Sequence, residues 1–282
     1  MKVVLFCGGL GLRMRSGEDS APKPMMTIGQ RPVLWHVMRY YAHFGYRDFI
    51  LCLGYGAASV KDYFLNYQEA RSNDFVLSQG GRRIDLLSSD IEDWRITFAD
   101  TGLHTLMGER LRRVRHFLDD DEIFLANYGD VLTDAPMDRI VAQVASGDAT
   151  ASLLAVPPLG SFHTVSFGQD ARISEVRPVT DLPLWVNGGY FVLRREIFDV
   201  LGRGEDLVTD AFPRLAARGT LLAIPYEGFW APMDTLKERS DLEEMYRNGT
   251  RPWALWSRTN RGSHLDVPDD LVPSAPAPRL VG

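Results

Sequence analysis

The chain carries no surplus of positive charge. Its 31 Lys and Arg stand against 37 Asp and Glu, leaving a net charge of −6. A general nucleic-acid binder presents a basic face, so that class is set aside, although an acidic protein can still build a local cationic site for a small anion. Sulfur is scarce too: Cys7 and Cys52 are the only cysteines in 282 residues, and both sit in apolar, strand-like runs. They read as buried free thiols, because a disulfide needs an oxidising compartment to which nothing else points. Long apolar runs are missing as well. None approaches the ~20 residues of a membrane span. The opening run M-K-V-V-L-F-C is too short for a signal-peptide core and stops at Gly8-Gly9. The expected compartment is the cytoplasm, with neither membrane nor nucleic acid as partner. What is present, 45% hydrophobic and 24% charged residues, suits a folded α/β chain with a sizeable core.

Short apolar runs alternate with helical patterns through the first half. Val3–Phe6, Asp48–Leu53, Arg95–Phe98, Glu122–Tyr128 and Thr150–Val156 read as strands, and Val33–Phe44, Ala57–Tyr67, Glu109–Leu118 and Met137–Ala145 as helices. This alternation predicts βαβ units and a mostly parallel sheet, with the ligand crevice beyond the carboxyl ends of the strands. A glycine-rich loop and Asp130 both fall at such ends. After about residue 160 the pattern changes. Thr164–Phe167, Ala171–Val176, Val186–Leu193 and Leu221–Pro225 read as strands of a mixed or antiparallel half on the same sheet. Asp206–Arg218 and Thr235–Arg247 read as its helices. The expectation is a Rossmann-like, three-layer α/β/α domain over residues 1–256, divided into halves 1–158 and 159–256. Residues 257–282, polar and proline-rich, read as a flexible tail.

The glycine-rich loop is the most informative local feature. Gly8, Gly9 and Gly11 allow backbone N–H groups to converge on an anion. Arg13 adds a permanent charge with a bidentate fork. Lys23 follows between Pro22 and Pro24, which restrict the chain on both sides. A polyphosphate ligand would explain all of these, whereas the plainer reading is a glycine-rich turn with a surface arginine. The Walker loop is not matched, for want of its lysine. The dinucleotide fingerprint would need glycine at Met14, which leaves a dehydrogenase unsupported.

G-G-x-G-x-R followed by P-K-P-M resembles the signature of sugar-1-phosphate nucleotidylyltransferases. I-G-Q-R-P-V-L-W-H-V-M, F-I-L-C-L-G-Y, A-D-T-G, R-L-R-R-V, Y-G-D, W-V-N-G-G-Y-F-V-L and G-F-W-A-P-M-D-T-L resemble one branch of it, the glucose-1-phosphate cytidylyltransferases, in that family's order from residue 3 to about 256. The resemblance implies a nucleotidyltransferase, GT-A-like fold, with a nucleotide-binding first half and an acceptor-binding second half. The implied reaction is Mg²⁺-dependent transfer of CMP from CTP to a sugar 1-phosphate, releasing pyrophosphate. Phe6, Cys7, Gly8, Gly9, Gly11, Leu12 and Arg13 would cradle the nucleotide, with Arg13 toward the β- and γ-phosphates and Lys23 toward the α-phosphate. Thr105 and Arg110 match positions that contact CTP near a subunit boundary. Asp130 and Asp234 would hold the metal. Arg13, Lys23 and Asp130 form the implied catalytic set. His163, Val176, Arg177, Asn187 and Gly188 would face the acceptor. Read without the resemblance, Asp130 could be a turn aspartate, Asp234 a helix N-cap, Asn187 a turn residue and Arg110 a solvated helix residue. Relatives are homo-oligomers, so one is expected here.

The departures from the family pattern cluster on the acceptor side. The family's E-K-P is Val176-Arg177-Pro178, its R-F-G is Ser161-Phe162-His163, and the Gly after Y-G-D is Val131. Val176 removes a hydroxyl acceptor and Arg177 changes the geometry of a phosphate contact. An acceptor other than plain glucose 1-phosphate is therefore expected. Near the triphosphate, Leu12 replaces a threonine, and Met107 departs from the family's T-G-G-R. UTP, dTTP or GTP in place of CTP, and a catalytically silent nucleotide binder, stay open as alternatives.

Overall fold

The computed structural model describes residues 1–9, 21–160 and 162–259. Seven strands form the central sheet: β1 Lys2–Phe6, β2 Asp48–Leu53, β3 Arg95–Asp100, β4 Ile123–Tyr128, β5 Ala151–Val156, β6 Val186–Arg194 and β7 Leu221–Pro225. Their spatial order is β7-β5-β6-β4-β1-β2-β3. β1 runs parallel to β2 and β4, β2 to β3, and β5 to β7, while β6 is antiparallel to both of its neighbours. The sheet is thus mixed and mostly parallel, and strands from both halves of the chain share it.

The apolar runs are continuous because the central strands are covered on both faces. Along β1, Val3 and Leu5 point into one core and Val4 into the other. The first core packs against α1 (Val33–His43), α2 (Ala57–Leu65) and a later helix, Met137–Ala145. The second packs against α3 (Met107–Arg113) and the segment from Ile197 to Leu215. With Met137–Ala145 as α4, Phe212–Ala217 as α5, Leu236–Arg247 as α6 and Leu255–Thr259 as α7, helices cover both sides and the three-layer arrangement is complete. No helix among the described residues is long and apolar enough to cross a membrane. Both cysteines are buried and free.

Three features differ from the reading of the sequence. His163–Phe167 and Ile173–Pro178 pair only with each other, as a hairpin outside the central sheet. All six residues of the second strand are exposed, so no core holds the hairpin to the sheet. A second hairpin, Phe75–Ser78 with Arg83–Leu86, has no counterpart in the sequence reading. Finally, Asp206 caps a π-turn over Leu207–Ala211 before the α-helical α5 begins, so the expected single helix is in two parts. Almost all of the expected tail lies outside the described residues.

Candidate active site

Lys23 is the centre of the site, and the two prolines explain its placement. Pro22–Met25 forms one 3-10 turn, closed by Met25 N–H on Pro22 O at 2.8 Å and Met26 N–H on Lys23 O at 3.0 Å. Pro24 is buried. Pro22 lies against Gly56, whose φ of +68° begins α2 and where a Cβ would come within 2.5 Å of the proline ring. The backbone of Lys23 is therefore fixed from both sides, leaving its side chain as the adjustable part. The ammonium group donates a hydrogen bond to Asp234 Oδ1 and lies 3.7 Å from Asp130 Oδ2.

A short antiparallel ribbon brings these two aspartates together across more than a hundred residues of chain. Val131–Thr133 pairs with Trp230–Pro232, with Pro232 opposite Val131. Met233 N–H then donates to Asp130 O at 2.9 Å. Asp130 follows the carboxyl end of β4, and Asp234 follows the ribbon. The next residue, Thr235, accepts from Glu238 N–H and forms a capping box with it, so the N-cap of α6 is Thr235. Asp234 is released from that role and its carboxylate faces Lys23. Burial pushes the Asp130 carboxyl up to about 6, with Lys23 opposing the rise and Asp234 adding to it.

The donor set suits a hard divalent cation. Two carboxylates already hold one cation, the lysine ammonium, and among the described residues no group of three or more His, Cys, Asp and Glu side chains could close a site around a metal. Mg²⁺ prefers oxygen, retains several waters and is commonly held by one or two carboxylates plus substrate phosphates. A closed zinc-type site would need four protein ligands.

The glycine loop begins at the carboxyl end of β1, next to the exit of the neighbouring β4 that leads to Asp130. Phe6 is half-buried, Cys7 and Gly8 are buried and Gly9 is exposed. Gly11, Leu12 and Arg13 lie outside the described residues. Arg110 is not the solvated helix residue of the plain reading. Its guanidinium is buried and donates to Leu53 O at 3.1 Å, Thr101 Oγ1 at 2.7 Å, Gly8 O at 3.0 Å and Leu103 O at 3.3 Å. One side chain thus ties together the segments leaving β1, β2 and β3. A Cβ on Gly8 would collide with that guanidinium, which explains glycine there. Thr105 stands half-buried in the turn before α3.

Asn187 and Gly188 open β6. Asn187 Nδ2 donates to the Tyr128 hydroxyl at 3.0 Å and its Oδ1 accepts from Gly189 N–H at 2.9 Å. Gly188 O accepts from Trp230 Nε1 at 2.8 Å. The amide of Asn187 is therefore oriented by protein partners at the mouth of the site. Tyr128, with its hydroxyl pushed up to about 12 by burial, and Trp230 were not singled out from the sequence. Both stand in the motifs Y-G-D and G-F-W-A-P-M-D-T-L, beside the aspartates that those motifs point to. His163, Val176 and Arg177 are all exposed on the detached hairpin, where Arg177 Nε donates to Glu175 Oε1. The structure brings Lys23, Asp130 and Asp234 into contact and leaves these three on a separate element.

Comparison with known proteins fits this geometry. The chain is 35% identical over 263 residues to glucose-1-phosphate cytidylyltransferase of Salmonella typhimurium, covering 91% of this chain and all of that one. It is 33% identical over 258 residues to a probable glucose-1-phosphate cytidylyltransferase of Bacillus subtilis, with the same coverage. The chain belongs to the glucose-1-phosphate cytidylyltransferase family. It is a nucleotidyltransferase. Among solved structures, a UDP-glucose pyrophosphorylase from Acinetobacter baumannii superposes with a TM-score of 0.66 at 20% identity, covering 92% of this chain and 97% of that one. A putative glucose-1-phosphate thymidylyltransferase from Bacillus anthracis superposes at 0.64 and 16%, covering 88% and 96%. At these identities the likeness is one of fold. No protein-family model matches the chain.

Proposed function

We propose that the chain transfers CMP from CTP to a sugar 1-phosphate. An oxygen of the acceptor's phosphate attacks the α-phosphorus, the bond from that phosphorus to the β-bridging oxygen breaks, and pyrophosphate leaves with the electron pair. The observation that carries this is the Lys23, Asp130 and Asp234 corner at the carboxyl ends of β1 and β4. Such a transfer needs little covalent help. Positioning and charge neutralisation supply most of the effect.

Asp130 and Asp234 would hold Mg²⁺, which when bound would neutralise phosphate charge and template the in-line geometry. Lys23 would meet the α-phosphate and Arg13 the departing pyrophosphate. The backbone of Phe6, Cys7, Gly8 and Gly9 would line the nucleotide, with Arg110 holding that loop to its neighbours. Asn187 and Gly188 would orient the sugar. Val176 and Arg177 would tune it, favouring an acceptor that lacks the hydroxyl contact a glutamate would make in plain glucose 1-phosphate.

The test is pyrophosphate release with each NTP against a panel of sugar 1-phosphates, with and without Mg²⁺. CTP with a deoxygenated or modified acceptor is expected to rank first. Turnover with another NTP alone would overturn the base assignment, glucose 1-phosphate leading by a wide margin would overturn the acceptor, and silence with every pair would overturn the activity.

Self-association is proposed on a separate observation. The hairpin at 163–178 exposes Val165, Phe167, Ile173 and Val176, and the one at 75–86 exposes Val76, Leu77 and Ile84. Apolar surface of this kind marks interfaces. Sedimentation should show an oligomer that Leu77→Glu or Phe167→Glu dissociates; a monomer at micromolar concentration would overturn the proposal.

A further inference from the structure

Two cations cannot share the contacts that Lys23 makes. Its ammonium hydrogen-bonds to Asp234 and lies 3.7 Å from Asp130, in the space between the two carboxylates. A divalent ion bound to both, at the short oxygen distances Mg²⁺ demands, would need that same space. The Lys23 side chain is 15% exposed and that of Asp130 22%, so the two face each other largely out of solvent. The backbone beneath it is pinned by Pro22 against Gly56 and by buried Pro24, so the turn does not yield easily. The four-carbon stem can.

We propose that Lys23 is the resident counter-ion of the Asp130 and Asp234 pair, and that a divalent cation enters only by displacing it. This rests on the metal reading above and goes beyond it. The displaced ammonium needs an anion to receive it, and the phosphates of an incoming nucleotide supply one. Metal and nucleotide therefore load together. The free metal binds weakly to the nucleotide-free protein because it must first evict a cation already in place. The lysine is also delivered to the phosphate by the same event that fills the site. Lys23 thus acts twice with one motion, as a seal on the carboxylates and then as a phosphate ligand.

The experiment measures Mn²⁺ binding to nucleotide-free protein by the loss of the free-ion paramagnetic resonance signal, in the wild type and in Lys23→Gln. Lys23→Gln keeps the length of the stem and removes the charge. The variant should bind Mn²⁺ roughly tenfold more tightly or better, because repulsion between an ammonium and a divalent ion a few ångströms apart is worth at least that even at the dielectric of water. Adding Asp130→Asn to Lys23→Gln should abolish the gain. The melting temperature of Lys23→Gln should rise more with Mn²⁺ than that of the wild type, which provides a readout independent of turnover. Equal or weaker Mn²⁺ binding by folded Lys23→Gln, with wild-type pyrophosphate release still dependent on a divalent ion, would overturn the exchange and leave the metal site standing. Wild-type release indifferent to divalent ions would overturn both.

Discussion

The corner around Lys23 and the hairpin at 163–178 are built in opposite ways. In the corner, two prolines fix a lysine, a ribbon fixes two aspartates, and a buried guanidinium ties three strand exits together. Backbone rigidity there is set by buried groups: Pro24 and the Arg110 guanidinium. In the hairpin, the strands pair only with each other, their side chains face solvent, and the charged pairs, Arg177 with Glu175 and Arg172 with Asp170, are exposed. The phosphate and metal chemistry proposed for the corner requires sub-ångström placement, and the corner lies where the core can brace it. Acceptor choice needs only a few replaceable contacts, and the candidates for that task sit where substitution costs the fold little.

The strongest way to break the contrast is to neutralise an aspartate in the corner. Asp130→Asn or Asp234→Asn should lower kcat/KM by roughly a hundred- to a thousandfold, while the melting temperature stays within a few degrees, since each change also relieves repulsion between two nearby carboxylates. Wild-type turnover in either variant would remove the corner from the chemistry.

A second blow falls on the framework behind the corner. His36, in α1, is buried; its Nε2–H donates to Ile28 O at 3.1 Å and its Nδ1 accepts from Trp253 Nε1 at 3.4 Å. Burial lowers its pKa from 6.5 to about 4. The unfolded chain therefore takes up a proton below pH 6.5 that the folded chain refuses until about pH 4. Stability falls as pH drops through that window, by up to about 3 kcal/mol from this group. Denaturation at pH 7 and pH 4.5 should show the loss, and His36→Gln should flatten it. An unchanged slope in His36→Gln would mean that other groups cause the acid sensitivity.

The same contrast decides how much could be read in advance. β1, β2, β4 and β5 were legible because strands buried on both faces are written as unbroken apolar runs. Lys23 was legible because proline on both sides of a lysine is costly decoration. The ribbon that joins Asp130 to Asp234 was not, since V-L-T and W-A-P are too short to carry any period, and only the tertiary pairing makes them strands. The resemblance makes Arg110 a nucleotide contact, and the plain alternative, a solvated helix arginine, follows from how often arginine is exposed; the burial of Arg110 rules out that alternative. Nothing local to α3 reveals that the exits of β1 and β2 stand over it with carbonyls that accept from the guanidinium. The hairpin at 163–178 showed as two strands, but whether they join the sheet depends on packing, not on alternation.

On the hairpin side the larger effect belongs to Val176. If the arm tunes the acceptor, Val176→Glu should restore a hydroxyl partner and raise kcat/KM for glucose 1-phosphate roughly ten- to a hundredfold, the value of one charged hydrogen bond. The KM for CTP should not move. A parallel change in both constants would place Val176 in the fold and not in the choice of sugar.

The smallest effect sharpens the comparison most. Arg177 holds Glu175 across an exposed strand, and exposed pairs contribute about 0–1 kcal/mol. Glu175→Gln should therefore leave the melting temperature nearly unchanged. It should also free the guanidinium to meet a phosphate, lowering the acceptor KM severalfold at low salt, with the gain fading as ionic strength rises. The equivalent manipulation in the corner, Asp130→Asn or Asp234→Asn, should instead show as a loss of turnover. If Glu175→Gln destabilised the chain by several kcal/mol instead, the pair would be part of what braces the hairpin, and the contrast between the two regions would fail.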